Sequence, residues 1–205
     1  MAKQGYHHGN LRQALVEATL DLIAERGPQG FTMAEAAKLA GVSPAAPYRH
    51  FSGREALIAE AARQGYEIFV TRMEAAFDGG QPNPLAAFMA TGRTYLEFAR
   101  SNAGHYVAMF ESGLSVNTSP ELADAAGRAQ AILIRSAEAL SAHLPPDRRP
   151  PAAMFAAHVW AMSHGVVELF ARGNPGARAP FPPEDLLESG IAVYLRGLGL
   201  IPPDA

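Results

Sequence analysis

The residues best suited to chemistry lie between Phe31 and Leu57, in the run FTMAEAAKLAGVSPAAPYRHFSGREAL. The chemistry they suit is recognition and not bond breaking. Thr32 stands three residues before Glu35, and Ser52 three before Glu55. That is the spacing of capping boxes, in which hydroxyl and carboxylate satisfy each other's orphan backbone amides. Ser43 followed by Pro44 is the pattern of an N-cap with proline in the first helical position. Gly41 supplies the backbone of a sharp turn, and Ala37 is small enough for two helices to cross closely. Two short helices around a glycine turn, with a third opening behind them, spell a helix-turn-helix. Duplex DNA is therefore the first candidate partner, and the helix N-termini at Thr32 and Ser43 offer oriented amides to its phosphates.

In such a motif the first residues of the second helix meet the base edges. Here they are Pro44, Ala45, Ala46 and Pro47. None can donate the bidentate hydrogen bond on which strong direct readout depends, although alanine methyls can touch thymine methyls. Base discrimination then falls to Arg49, to the arm Lys3 to His8 with its Tyr6, and to DNA shape, with an inert tail as the competing reading of the arm. Pro47 stands about four residues into this helix, where it removes an early hydrogen bond and crowds the Ser43 carbonyl. The first turn is expected to be distorted.

Other chemistry is thinly supported. No hydroxyl–histidine–carboxylate or paired-carboxylate set can be assembled at one site, so no catalytic residue is assigned and a helical-bundle enzyme is the weaker class. The chain has no cysteine, which excludes disulfides and thiolate metal sites. His7 and His8 lack partners, and His158 and His164 are six residues apart, facing different sides of one helix. No metal or cofactor is expected. Tyr95, Phe98, Tyr106, Met109, Phe110, Phe155, Trp160 and His164 converge from several helices, with Met154, Met162, His158 and His105 among them. Such a set suits an apolar ligand pocket; core filling is the competing reading.

The elements that carry these residues follow from apolar spacing and breakers. Asn10 with Gln13 opens a helix from Leu11 to about Arg26, stopped by Gly27, Pro28 and Gly30. Helices at Met33 to Ala40 and Pro44 to Phe51 follow, then one after Ser52 that reaches Phe77. GGQPNP, from Gly79 to Pro84, is the clearest break. Beyond it the spacing predicts helices at Leu85 to Arg100, Ala103 to Gly113, Pro120 to Leu144, Ala152 to Arg172 and Glu184 to Leu198. The expectation is an all-α chain of about nine helices, with an N-terminal three-helix helix-turn-helix domain followed by a C-terminal helical bundle. Of the net charge of −3, residues 1–54 contribute +2 and the remainder −5, a modest basic bias toward the expected DNA end. No apolar run reads as a signal peptide or membrane span, so a soluble cytoplasmic protein is expected.

The N-terminal pattern resembles the TetR/AcrR-type family of bacterial transcription regulators. GVSPAAPYRHF followed by SGREAL, after ALVEATLDLIAERG, carries the match over roughly residues 8 to 60. VWAMSHGVVELF, from Val159 to Phe170, looks like the tryptophan and His-Gly signature of a recurrent C-terminal domain of that family. The resemblance implies a homodimer that grips a palindromic operator and a C-terminal domain that binds a small effector and releases the DNA. It also implies that Tyr48 and His50 form the family's Tyr-x-His phosphate clamp, and that Arg54 stands where the family often has lysine. Core packing of Tyr48 and a solvated Arg54 are the competing readings. Ala46 departs from the family, many of whose members carry a polar residue there. The implied division is a DNA-binding domain at 1–53 with its arm at 1–9, a connecting helix at 54–78, and an effector and dimerisation domain at 79–205. The last two helices are expected to pair with their symmetry mates. The expected function is a repressor released by a small apolar ligand, with an activator or a ligand-insensitive regulator as the alternative.

Overall fold

The structure, a computed structural model, describes residues 11–171 and 181–202. The described residues are all-helical, as expected, and form eight α-helices: α1 (Leu11–Arg26), α2 (Met33–Leu39), α3 (Arg54–Phe77), α4 (Pro84–Ser101), α5 (Ala103–Phe110), α6 (Pro120–Ser141), α7 (Ala152–Val166) and α8 (Pro183–Gly197). The expected capping role of Asn10 and the arm Lys3 to His8 lie outside the described residues.

The chain divides into two compact units. Among the described residues, 11–67 join 102–126, and 68–101 join 127–171 and 181–202. Helices α3 and α6 contribute residues to both units.

In the first unit, α1 buries Leu15, Val16, Ala18, Thr19, Leu22 and Ile23 along one face. Gly27 ends it with φ +77 and an N–H bonded to the Ile23 carbonyl at 2.8 Å. Helix α5 packs against α1 because Gly104 lets the backbones meet. A Cβ at that position would lie 2.5 Å from the Leu20 carbonyl oxygen. Gly65 of α3 makes room in the same way for the Met109 sulfur, which a Cβ would approach to 2.7 Å.

The Thr32–Glu35 capping box is present: the Thr32 hydroxyl accepts from the Glu35 N–H at 3.2 Å, and Glu35 accepts from the Thr32 N–H at 2.8 Å. Helix α2 ends in a Schellman motif, with Gly41 at φ +72 and the Val42 N–H bonded to the Ala37 carbonyl at 2.9 Å.

The expected helix from Pro44 to Phe51 is not formed. A turn over Pro44 to Ala46 leads into a single 3₁₀ turn, Pro47–Arg49, which accounts for eight α-helices in place of nine. The cause is local. A helix capped at Ser43 closes its first hydrogen bond from the residue at position 47, and proline has no N–H to give. The Ala46 N–H takes the Ser43 carbonyl instead, at 3.0 Å, and the shorter spacing continues from Arg49 to Ala46 and from His50 to Pro47. Ser52 does not cap α3 either. That helix starts at Arg54, and its Leu57 N–H bonds to the Gly53 carbonyl.

In the second unit, α4 packs against α7 and α8. Gly92 of α4 admits Leu187 and Ile191 of α8, whose methyls would stand 3.6 and 3.7 Å from a Cβ. Phe155, fully buried, packs at a tilt against Phe88 and Tyr194, with centroid distances of 5.3 and 5.7 Å. The rim is tied by the pairs Arg93–Glu188 and Arg100–Glu184. Helix α7 passes into one π turn at Val167–Ala171.

Candidate nucleic-acid interface

The segment from Ser43 to His50 presents the side chains expected to meet DNA. Ser43, Pro44, Ala45, Tyr48, Arg49 and His50 are exposed, Ala46 is half-buried, and Pro47 is buried beneath them. Pro47 therefore anchors the turn to the unit. Tyr48 is 61 % exposed, so its ring does not fill the core.

Arg12 of α1 fixes the end of this segment. Its guanidinium donates to the His50 carbonyl at 3.2 Å, pairs with Glu60 of α3 at 3.1 Å, and lies 4.6 Å above the Phe51 ring. Burial of Glu60 works against its charge, but hydrogen bonds from Arg63 and Gln64 and the charges of Arg63 and Arg12 outweigh it. They hold the carboxyl down at about 2. An open cleft of about 780 Å³ borders this network, lined by Arg12, His50, Glu55, Glu60, Arg63 and Glu121 among others. Its charged walls do not suit an apolar ligand.

Two expected phosphate contacts are otherwise engaged. Arg54 donates to the Pro28 carbonyl at 2.9 Å and to the Gln29 side-chain oxygen at 2.5 Å, bracing the loop between α1 and α2. At Thr32 both the hydroxyl and the amide bond to Glu35, so that helix terminus already holds a carboxylate. The Thr32 hydrogen bonds and the nearby Arg26 keep the Glu35 carboxyl below its usual range. Ser43 opens a turn and not a helix, so it aims no helical amides.

The residues expected at the effector site divide between the units. Tyr106, Met109 and Phe110 belong to the first, where Tyr106 is fully buried and packs at a tilt against Phe110, with ring centroids 4.9 Å apart. Burial there also holds the neighbouring His105 imidazole below its ordinary pKa. Tyr95, Phe98, Phe155, Trp160 and His164 belong to the second. Three of these form a polar chain in an apolar setting: the Trp160 indole donates to the Tyr95 hydroxyl at 3.3 Å, and that hydroxyl lies 3.0 Å from His164 Nδ1. Phe69 packs edge-on against Tyr95 and Phe98, at 5.6 and 5.1 Å, a contact that apolar spacing did not single out. His158 bonds to Tyr194 at 2.8 Å on the outer side of α7. Among the described residues no group of three or more histidine or acidic side chains is arranged to hold a metal ion.

Residues 15–61 match the family described as bacterial regulatory proteins, tetR family, and residues 88–194 match the tetracyclin repressor-like C-terminal domain. The HTH-type transcriptional regulator BetI of Brucella anthropi is 29% identical over 192 residues, covering 91% of this chain and 94% of that one. A solved structure of a Rhodococcus sp. RHA1 protein of unknown function shares 25% identity with a TM-score of 0.78, over 95% of this chain and 98% of that one. AibR, solved in complex with isovaleryl coenzyme A and operator DNA, shares 19% identity with a TM-score of 0.68, over 89% and 97%.

Proposed function

The chain belongs to the tetR family of bacterial regulatory proteins, and from that premise we propose that it is a cytoplasmic repressor, a homodimer released from a palindromic operator by a small apolar ligand. It is a DNA-binding transcription regulator and needs no catalytic centre for that work. The observation that carries the DNA reading is the exposed turn Ser43 to His50, seated on buried Pro47 and clamped by Arg12. Tyr48 and His50 supply phosphate contacts, and Arg49 supplies a donor for a base.

Dimerisation is supported by the apolar side chains that α7, its π turn and α8 leave in solvent: Met154, Trp160, Leu169 and Val193. A symmetric partner would cover such a surface, and would also set the spacing of the two half-sites. The ligand reading rests on Tyr95, Trp160 and His164, a small polar set within an aromatic cluster. A ligand that favours a displaced α3 would move the reading turns off successive major grooves, and linkage requires its affinity to fall when operator is bound. The AibR crystal, with both an acyl coenzyme A and operator DNA, is an instance of this fold carrying both kinds of partner in that protein.

The test has two stages. Selection from a randomised duplex pool should recover a palindrome, bound by a dimer. A ligand found by thermal-shift screening should then bind more weakly to the operator complex than to free protein. Equal affinities would remove the ligand-release mechanism.

A further inference from the structure

The described residues of the first unit carry six permanent cations: Arg12, Arg26, Lys38, Arg49, Arg54 and Arg63. Four are neutralised or engaged within the unit. Arg12 holds His50 and Glu60, Arg26 pairs with Glu35 at 3.0 Å, Arg63 pairs with Glu60 and Glu67, and Arg54 braces Pro28 and Gln29. Lys38 and Arg49 are exposed, and neither side chain has a hydrogen-bond or ion-pair partner among the described residues.

Their positions differ in a way that assigns their work. Lys38 lies on α2, the helix that in this motif crosses the DNA backbone. It shares the outward face with Ala34, one turn earlier, while Met33, Ala36 and Ala37 face the core. It also stands in the last turn of α2, where its charge offsets the carbonyl end of the helix, an end that would otherwise repel a phosphate. An ammonium is a compact charge with no preferred plane, which serves a phosphate as a point charge; the planar fork of arginine can grip the edge of guanine with two hydrogen bonds, as it can a phosphate.

We propose that Lys38, and not Arg54, is the principal phosphate anchor of each protomer, leaving Arg49 as the guanidinium that reads a base. This rests on the operator-binding reading. It also narrows the operator: each half-site holds a guanine within reach of Arg49, beside base pairs that meet only methyl and proline surface.

The test uses the full chain, the duplex recovered by selection and a scrambled duplex, with affinity followed from 50 to 200 mM salt. Neutralising one phosphate contact per protomer removes about 1.8 from the slope of log affinity against log salt for a dimer. The Lys38→Gln variant should therefore lose roughly 12-fold less affinity across that range than the wild type, on both duplexes. The Arg49→Lys variant should keep the slope and lose preference at one base pair per half-site, and Arg54→Gln should flatten the slope less than Lys38→Gln. An unchanged slope in Lys38→Gln, or an equal flattening in Arg54→Gln, overturns the assignment while the wild-type selection still upholds the operator reading. A wild-type protein that selects no duplex overturns both.

Discussion

The Arg12 guanidinium and the His50 carbonyl oxygen lie 3.2 Å apart, a hydrogen bond that joins the first helix to the end of the exposed turn Ser43 to His50. The bond crosses 38 positions of sequence, so it sets tertiary geometry that the turn's own residues do not. Half of the Arg12 side chain is exposed, so its pairing with Glu60 is screened and contributes modestly to stability.

Arg12→Ala should therefore lower unfolding stability by only about 1 kcal/mol while weakening operator binding roughly tenfold. Chemical denaturation and anisotropy titration on the same preparation separate the two. Unchanged affinity would mean that the turn holds its shape without the clamp.

Pro47→Ala restores the missing N–H at the position where the helix fails. The run from Ser43 to Phe51 should then gain about one helical turn, visible by circular dichroism, because the proline penalty of about 3 kcal/mol is removed. The new side-chain directions should change the selected operator. Identical spectra and identical selection would show that the surrounding packing dictates the 3₁₀ turn.

Acid should act through Glu60. Its carboxyl is held at about 2 against 4.5 for an unperturbed group, a depressed value. The stability it contributes is fully present above about pH 4.5 and is lost as pH falls toward 2. The ceiling is about 3 kcal/mol, because each tenfold change in proton affinity between the folded and unfolded chain is worth roughly 1.4 kcal/mol. The stability gap between wild type and Glu60→Gln should close over that window; a constant gap would place the effect elsewhere.

Tyr95→Phe deletes the hydroxyl that joins Trp160 to His164. Tyr95 is 2% exposed, but Trp160 is 43% exposed and can turn to water, so the expected loss is near 1 kcal/mol. The chain has one tryptophan, so its emission reports this site directly and should shift to longer wavelength. Affinity for an apolar ligand should fall in parallel if Tyr95 lines its site.

The sequence shows the helices plainly where apolar spacing runs uninterrupted, as in α1 and in α3 from Leu57 through Phe77. It mislaid the third helix because Ser43–Pro44 is a sound start signal on its own, and only the loss of the N–H three residues later decides the outcome. The residues expected at the effector site divided between units for a different reason. Tyr106 and Met109 look like any aromatic and methionine pair on a helix, while the contact that seats α5 on α1 is made by Gly104, a residue with no side chain to register in a hydrophobic pattern. Lys38 escaped notice because a lysine on a polar helix face is ordinary; it stands out only once its neighbours' charges are seen to be matched.

The turn from Pro44 to Ala46, which the proposed function sets against the double helix, carries almost nothing beyond hydrocarbon. Ala45, exposed and ending at a single methyl, has room to grow. An asparagine or glutamine at that position would add a bidentate grip on adenine without disturbing buried Pro47. On the proposed function, so bare a turn is close to a blank template, from which regulators with new addresses can be written one letter at a time.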